Sequence, residues 1–207
     1  MSISRIYCHD VMMDICRNMR RLFISIPINL HYTKLCNEFI QQQQLDKIRW
    51  IKPENWHVTL IFIGDFHQKY LTDLANHLTD FFSNICPFSI DFEKFIYQPE
   101  PKNPRMIWAK FKQSYQFDNL VQETFAYLKE WYEQHHLEFN IHIRNTNIPH
   151  ITLARPKQND QPFPKLKYSK VNPSVLEVKD CHLFESKLLP KGAEYHLLHT
   201  FSFDSSN

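Results

Sequence analysis

Two short segments constrain this chain more than any other feature. His57-Val58-Thr59-Leu60 and His150-Ile151-Thr152-Leu153 repeat one pattern, His-x-Thr followed by an apolar residue. Each lies in a stretch of β-branched and apolar residues that reads as a strand. Side chains of a strand alternate between its two faces, so His57 and Thr59 share one face, as do His150 and Thr152. Val58, Leu60, Ile151 and Leu153 then turn to the other face, into a core. A single His-x-Thr pair in a strand is common and is usually a packed or surface pair. Two copies delivered by matching strands point instead to a symmetric acid/base site. Imidazole titrates near neutrality, so one copy can take a proton while the other gives one. A threonine hydroxyl beside each ring can donate to a phosphate oxygen, and this arrangement suits transfer at phosphorus.

The rest of the sequence narrows the chemistry. Gly64 and Gly192 are the only glycines, so no glycine-rich loop can cradle a nucleoside triphosphate or a dinucleotide. Acidic residues do not cluster as they would in a two-metal phosphodiesterase, and neither metal nor cofactor is expected. His135, His136 and His142 could be read as metal ligands, but histidines at a helix C-terminus are favoured by the helix dipole, and that reading is preferred. Cys8, Cys16, Cys36, Cys86 and Cys181 are odd in number and lack paired finger spacing, against a disulfide framework or a zinc site. A reduced, cytoplasmic setting fits. No run approaches the ~18 apolar residues of a membrane span, and Asp10, Asp14 and Arg17 interrupt any secretory segment. The net charge of +2 does not favour broad duplex binding or a DNA partner. A local basic rim could still form from Lys52, Lys102, Arg105, Lys110, Arg155 and Lys157, although scattered cations usually only solvate a surface.

The chain of 207 residues suits one domain or two small lobes. Residues 1–20 read as an N-terminal extension, with three alternatives left open: a disordered segment, a misassigned start with Met12, Met13 or Met19 as the true one, or a surface helix over Val11 to Met19. Residues 21–207 form the domain. A strand runs from Arg21 to Pro27. Asn29 can cap a helix to about Gln44, with Leu35, Phe39 and Ile40 as its apolar stripe. The His57 strand ends at Gly64. Tyr70, Leu74, Leu78, Phe81 and Phe82 mark a second helix, and Phe88 to Tyr97 the next strand. Pro99, Pro101 and Pro104 mark a loop before the strand Arg105–Phe111, in which Trp108 faces away from Ile107. A third helix spans about Phe117 to His135. The His150 strand, the Pro162–Pro164 loop and strands near Val175–Phe184 and Tyr195–Phe203 complete the chain. The order gives an α+β protein of two halves, each supplying one His-x-Thr strand, so the natural site is a cleft between their sheets.

The sequence resembles the 2H phosphoesterases, and within them the RNA 2′,3′-cyclic phosphodiesterases, also called LigT-like 2′-5′ RNA ligases. The residues that carry the resemblance are Arg21-Leu22-Phe23-Ile24-Ser25-Ile26-Pro27, Trp50 through Leu60 with Phe62-Ile63-Gly64, Pro104-Arg105 with Ile107-Trp108-Ala109, Pro149 through Arg155, and Leu183-Phe184-Glu185-Ser186. It implies two pseudo-symmetric lobes, each an antiparallel sheet with helices on its outer face, enclosing a central cleft. It also implies opening of 2′,3′-cyclic phosphate ends of RNA, tRNA fragments included, to 2′-phosphate ends; the protein is expected to be a monomer. His57 is assigned as proton donor and His150 as proton acceptor, with Thr59, Thr152 and Arg155 on the substrate phosphate. Phe62 and Arg155 each stand five residues after a motif histidine. In a regular strand that odd offset turns them off the histidine face, so they reach the cleft only if the strand bulges, twists or ends. Phe62 is then a base-stacking candidate with core packing as its alternative. Two other functions stay open: a non-catalytic binder of RNA ends or nucleotides, and a 2H enzyme acting on 2′-5′ oligonucleotides or small cyclic nucleotide phosphates.

Overall fold

In the computed structural model, which describes residues 18–43, 48–98, 105–143, 147–156, 166–167, 174–190 and 192–204, the alternating apolar segments become antiparallel strands and the helically spaced ones become helices. The elements are β1 Met19–Pro27, α1 Leu30–Gln43, β2 Ile48–Trp50, β3 His57–His67, α2 Leu71–Phe82, β4 Phe88–Gln98, β5 Met106–Phe111, α3 Tyr115–Gln134, β6 His150–Pro156, β7 Val175–Val178, β8 Asp180–Leu189 and β9 Gly192–Ser202. The extension expected over residues 1–20 gives way earlier than Arg21. Met19 and Arg20 already pair with His67 and Phe66, and Arg20 Nη1 donates to Glu185 Oε2 at 2.9 Å. The Pro99–Pro104 and Pro162–Pro164 loops, Lys102 and Lys157 lie outside the described residues.

Strand order is β7-β4-β5-β6-β3-β1-β8-β9, with β2 added beside β6. The two halves are the arrays β9-β8-β1-β3 and β6-β5-β4-β7, and the two His-x-Thr strands are their inner edges. They meet where Val58 pairs with Ile151, so the two expected sheets are one continuous sheet. The expected strand Val175–Phe184 is split at Lys179. Its first part pairs with β4 and its second with β1. Strands so close in the chain lie near opposite ends of the order, so the sheet must curl strongly for the chain to pass between them.

The helices form because their apolar residues recur at three- and four-residue spacing. Asn29 Oδ1 accepts from Tyr32 N at 3.1 Å and caps α1. That helix buries Tyr32, Cys36 and Phe39, and Phe39 stacks on Phe95 of β4 at 3.8 Å between centroids. Although α1 follows β1 in the chain, it covers the other half. Buried Gln43 extends this contact through Nε2 to Lys167 O at 2.9 Å. Phe82 of α2 stacks on Phe201 of β9 at 5.0 Å, and Trp131 of α3 meets Phe66 of β3 at 5.7 Å. Each such aromatic contributes on the order of 1.5–3 kcal/mol by burial. Beneath the helices lie Leu22, Ile24, Ile26, Val58, Ile107, Ala109, Ile151 and Leu183, all buried.

His135 and His136 end α3 as a Schellman motif: Leu137 N donates to Tyr132 O at 3.0 Å and His136 N to Glu133 O at 3.1 Å. His136 takes the left-handed φ of 52°. His135 Nδ1 engages Trp131 O at 2.8 Å and its Nε2 lies 3.0 Å from Asp73. Among the described residues no group of three or more His, Cys, Asp or Glu could hold a metal ion. Cys36, Cys86 and Cys181 are free thiols, and burial pushes Cys36 up to about 12. No helix among the described residues is long and apolar enough to cross a membrane.

Candidate active site

With Val58 opposite Ile151 on the core side, the antiparallel register carries His57 toward Thr152 and Thr59 toward His150 on the opposite face. Both motifs therefore open onto one surface. Each imidazole is anchored in the same way. His57 Nδ1 lies 2.8 Å from Asn55 O, and His150 Nδ1 lies 2.8 Å from Ile148 O, in each case two residues upstream. A ring nitrogen facing a carbonyl must carry the proton, which leaves Nε2 of the neutral ring as the acceptor. His57 Nε2 is 3.1 Å from Thr59 Oγ1.

Aromatic rings surround both imidazoles. Trp108 of β5 stacks on His150 with centroids 3.5 Å apart and planes 18° apart. Phe23 of β1 lies 5.0 Å from His57, and Tyr195 of β9 meets the same ring edge-on at 5.3 Å. Burial pushes His57 down to about 4, assisted by the nearby charge of His150 and opposed by the Asn55 carbonyl. Burial also raises the Tyr195 hydroxyl, against the pull of Arg155 and Arg21. Asn55 Nδ2 donates to Ala193 O at 3.0 Å, so the segment that anchors His57 also holds the β8–β9 hairpin.

The structure turns Phe62 and Arg155 onto the histidine face by the same device in both halves. Across β1 and β3, Ser25 pairs with Thr59 and Ile24 with Ile61, so Leu60 bulges out of the ladder. Across β5 and β6, Trp108 pairs with Thr152 and Ile107 with Ala154, so Leu153 does the same. One extra residue reverses the alternation. Residues 57–62 and 150–155 accordingly share one burial sequence, with two consecutive buried residues before exposed Phe62 and exposed Arg155. Phe62 is 63% exposed and its ring lies 5.9 Å from Phe23, so the core alternative for Phe62 does not hold.

The expected basic rim is only partly assembled. Lys110 stands opposite His150 across β5 and β6, but its Nζ pairs with Glu93 at 2.6 Å. Lys52 pairs with Glu54 at 3.5 Å, and Arg105 is exposed. Trp108 as a partner of His150, Tyr195, and the bonds of Asn55 were not singled out from the sequence. Trp108 and Asn55 lie in segments that carry the family resemblance, but nothing in the sequence tied them to the histidines, and the only signal of Tyr195 is an aromatic in a strand.

The LigT-like phosphoesterase family matches residues 24–108 and 119–195, which include both motifs. The chain belongs to this family. It is 26% identical over 184 residues to an RNA 2′,3′-cyclic phosphodiesterase of Archaeoglobus fulgidus, covering 87% of this chain and 99% of that one. A protein of the same name from Bacillus subtilis is 30% identical over 148 residues, 69% of this chain and 74% of its relative. In fold, the LigT-like phosphoesterase chain resembles the crystal structure of a Thermus thermophilus protein with a TM-score of 0.69 at 24% identity, covering 88% and 97% of the two chains. The LigT protein of E. coli, solved with ATP, gives 0.64 at 16% identity, over 90% and 98%.

Proposed function

We propose that this LigT-like phosphoesterase is a cytoplasmic, monomeric RNA 2′,3′-cyclic phosphodiesterase that opens cyclic phosphate ends to 2′-phosphate ends by paired-histidine acid/base catalysis. The observation that carries the reading is the convergence of both His-x-Thr motifs on one face, with matching anchors on the two imidazoles. A binder of RNA ends needs phosphate donors, but not two imidazoles held alike by carbonyl anchors. The names of the curated relatives agree with this substrate.

In the reaction His150 takes a proton from water as the oxygen attacks phosphorus. The bond from phosphorus to the 3′ oxygen breaks, and His57 gives that oxygen its proton, so a 2′-phosphate and a 3′-hydroxyl result. Thr59 and Thr152 hold the nonbridging oxygens as their charge grows. Phe62 stacks a base and Arg155 binds a substrate phosphate. A 5′-hydroxyl entering in place of water would give a 2′-5′ linkage, so the same site could also run as a reversible 2′-5′ ligase. As donor, His57 must be charged when substrate is bound. The phosphodiester anion beside it favours the imidazolium and counters the burial that keeps the empty site neutral.

That neutral resting state favours a second reading, with His57 as the base and His150 as the acid. A substrate with sulfur in place of the 3′ oxygen separates the two, because a thiolate leaves without being protonated. Replacement of the acid by Ala should be largely rescued on this substrate, and replacement of the base should not. The test of the reaction itself is incubation with an oligoribonucleotide ending in a 2′,3′-cyclic phosphate. A 2′-phosphate product supports the proposal; binding without turnover supports the binding-module reading, and a 3′-phosphate product refutes the direction of opening.

A further inference from the structure

Strand β2 places a second arginine beside Arg155. In the antiparallel pair β2–β6, Arg49 stands directly opposite Arg155, and Trp50 opposite Ala154. Residues directly opposite share a face, with Cβ atoms about 4.5–5.5 Å apart. Ala154 and Ile48 are buried in the core, so Arg49 and Arg155 together occupy the other face, which the bulge at Leu153 makes the face of His150. Both are exposed. Like charges directly opposite in a sheet are destabilising. Among the described residues neither has a carboxylate partner to offset that repulsion. The pair is thus a self-repelling cationic site at the end of the motif strand, suited to an anion that both guanidinium groups can grip.

The distance from the reacting atoms identifies the class of anion. Arg155 lies three residues beyond Thr152, which stands opposite His57, roughly 10 Å at 3.3 Å per residue, and Tyr195, whose ring meets His57 edge-on, feels the Arg155 charge. The arginine pair therefore adjoins the imidazoles without standing between them, and the phosphate it faces is the neighbour of the reacting one. We propose that Arg49 and Arg155 form a subsite for the phosphodiester on the 5′ side of the terminal nucleotide, so that the enzyme selects oligoribonucleotide ends over cyclic mononucleotides. This rests on the phosphodiesterase reading for its substrate, but the subsite has a readout that turnover does not enter. Arg49 is a specificity residue and has no part in the proton transfers.

The experiment compares wild type with Arg49→Ala and Arg49→Lys on two ligand pairs. For turnover these are a trinucleotide ending in a 2′,3′-cyclic phosphate and the cyclic mononucleotide; for binding, a trinucleotide ending in a 2′-phosphate and the 2′-mononucleotide. Wild type should prefer the trinucleotide in both. Arg49→Ala should weaken trinucleotide binding and lower its kcat/KM about 10-fold or more, the range for a lost charge-assisted bond. Mononucleotide values should stay within about 2-fold, with Lys restoring part of the loss as a point charge that cannot grip bidentately. The slope of log affinity against log salt should become shallower by about 0.7, one single-strand phosphate contact. Equal losses on both ligands, or unchanged trinucleotide affinity, would overturn the subsite. Wild-type binding preference without hydrolysis of either cyclic substrate would keep the subsite and reject the phosphodiesterase reading. Arg49→Ala should unfold at the same or higher urea concentration than wild type, because it removes a repulsion, so a stability loss cannot stand in for the effect.

Discussion

Acidification should cost this protein stability through one ring. His57 is held neutral by burial, with its folded-state pKa pushed from 6.5 down to about 4. Between those values the unfolded chain binds a proton at this position and the folded chain does not, so stability falls as pH falls. The penalty is absent above the unfolded pKa, grows from there downward, and is complete near the folded pKa. At 1.36 kcal/mol per unit it reaches about 3 kcal/mol, a large share of a total of ~5–15. The perturbation is His57→Gln, which keeps a donor for Asn55 O but does not titrate. Urea unfolding of both proteins at about pH 7 and about pH 4.5 isolates this contribution, because groups common to both chains, such as His182 and Glu93, largely cancel in the difference. On acidification wild type should lose about 2–3 kcal/mol more than His57→Gln. Inorganic phosphate in the cleft should reduce the gap by favouring the charged ring. Parallel losses in the two proteins, differing by less than ~0.5 kcal/mol, would refute the claim that burial holds this ring neutral.

Replacing His57 or His150 by Ala should each lower turnover ~10²- to 10⁴-fold, and the double variant should lose far less than the product of the two, as single-turnover rates will check. Turnover should show a bell-shaped pH profile; the acidic limb of kcat/KM, which reports the free enzyme, should fall near pH 4, where His57 titrates, and that of kcat should fall at higher pH because bound substrate raises this pKa. Hydrolysis should continue undiminished in excess chelator, and loss that is restored by a divalent ion would contradict the histidine scheme. Gly64→Ala should cost about 1–2 kcal/mol in urea unfolding, since Gly64 sits at φ +82 with nothing within 4 Å of an added Cβ, leaving left-handed strain as the whole effect.

What could be read from the sequence is what depends on short-range periodicity. Alternation around His57 and His150 assigns the strands and pairs each histidine with its threonine, because a strand's side-chain period is two whatever lies beside it. Helical spacing and caps located α1 and α2, while α3 begins a little earlier than expected because Ser114 Oγ accepts from Phe117 N. The break at Lys179 was not legible, because Val175–Phe184 has the pattern of one strand and only its two different partners divide it. The same holds for the site's second ring of residues. Whether Phe62 and Arg155 face the histidines depends on bulges at Leu60 and Leu153, which exist only in the register with β1 and β5. Trp108 reaches His150, Tyr195 reaches His57 and Arg49 stands beside Arg155 through pairings between distant parts of the chain. Local pattern was enough to mark the two His-x-Thr pairs and the strands that carry them. Which side chains surround those pairs followed only from the assembled sheet, because register and curvature are set by neighbouring strands rather than by a strand's own residues.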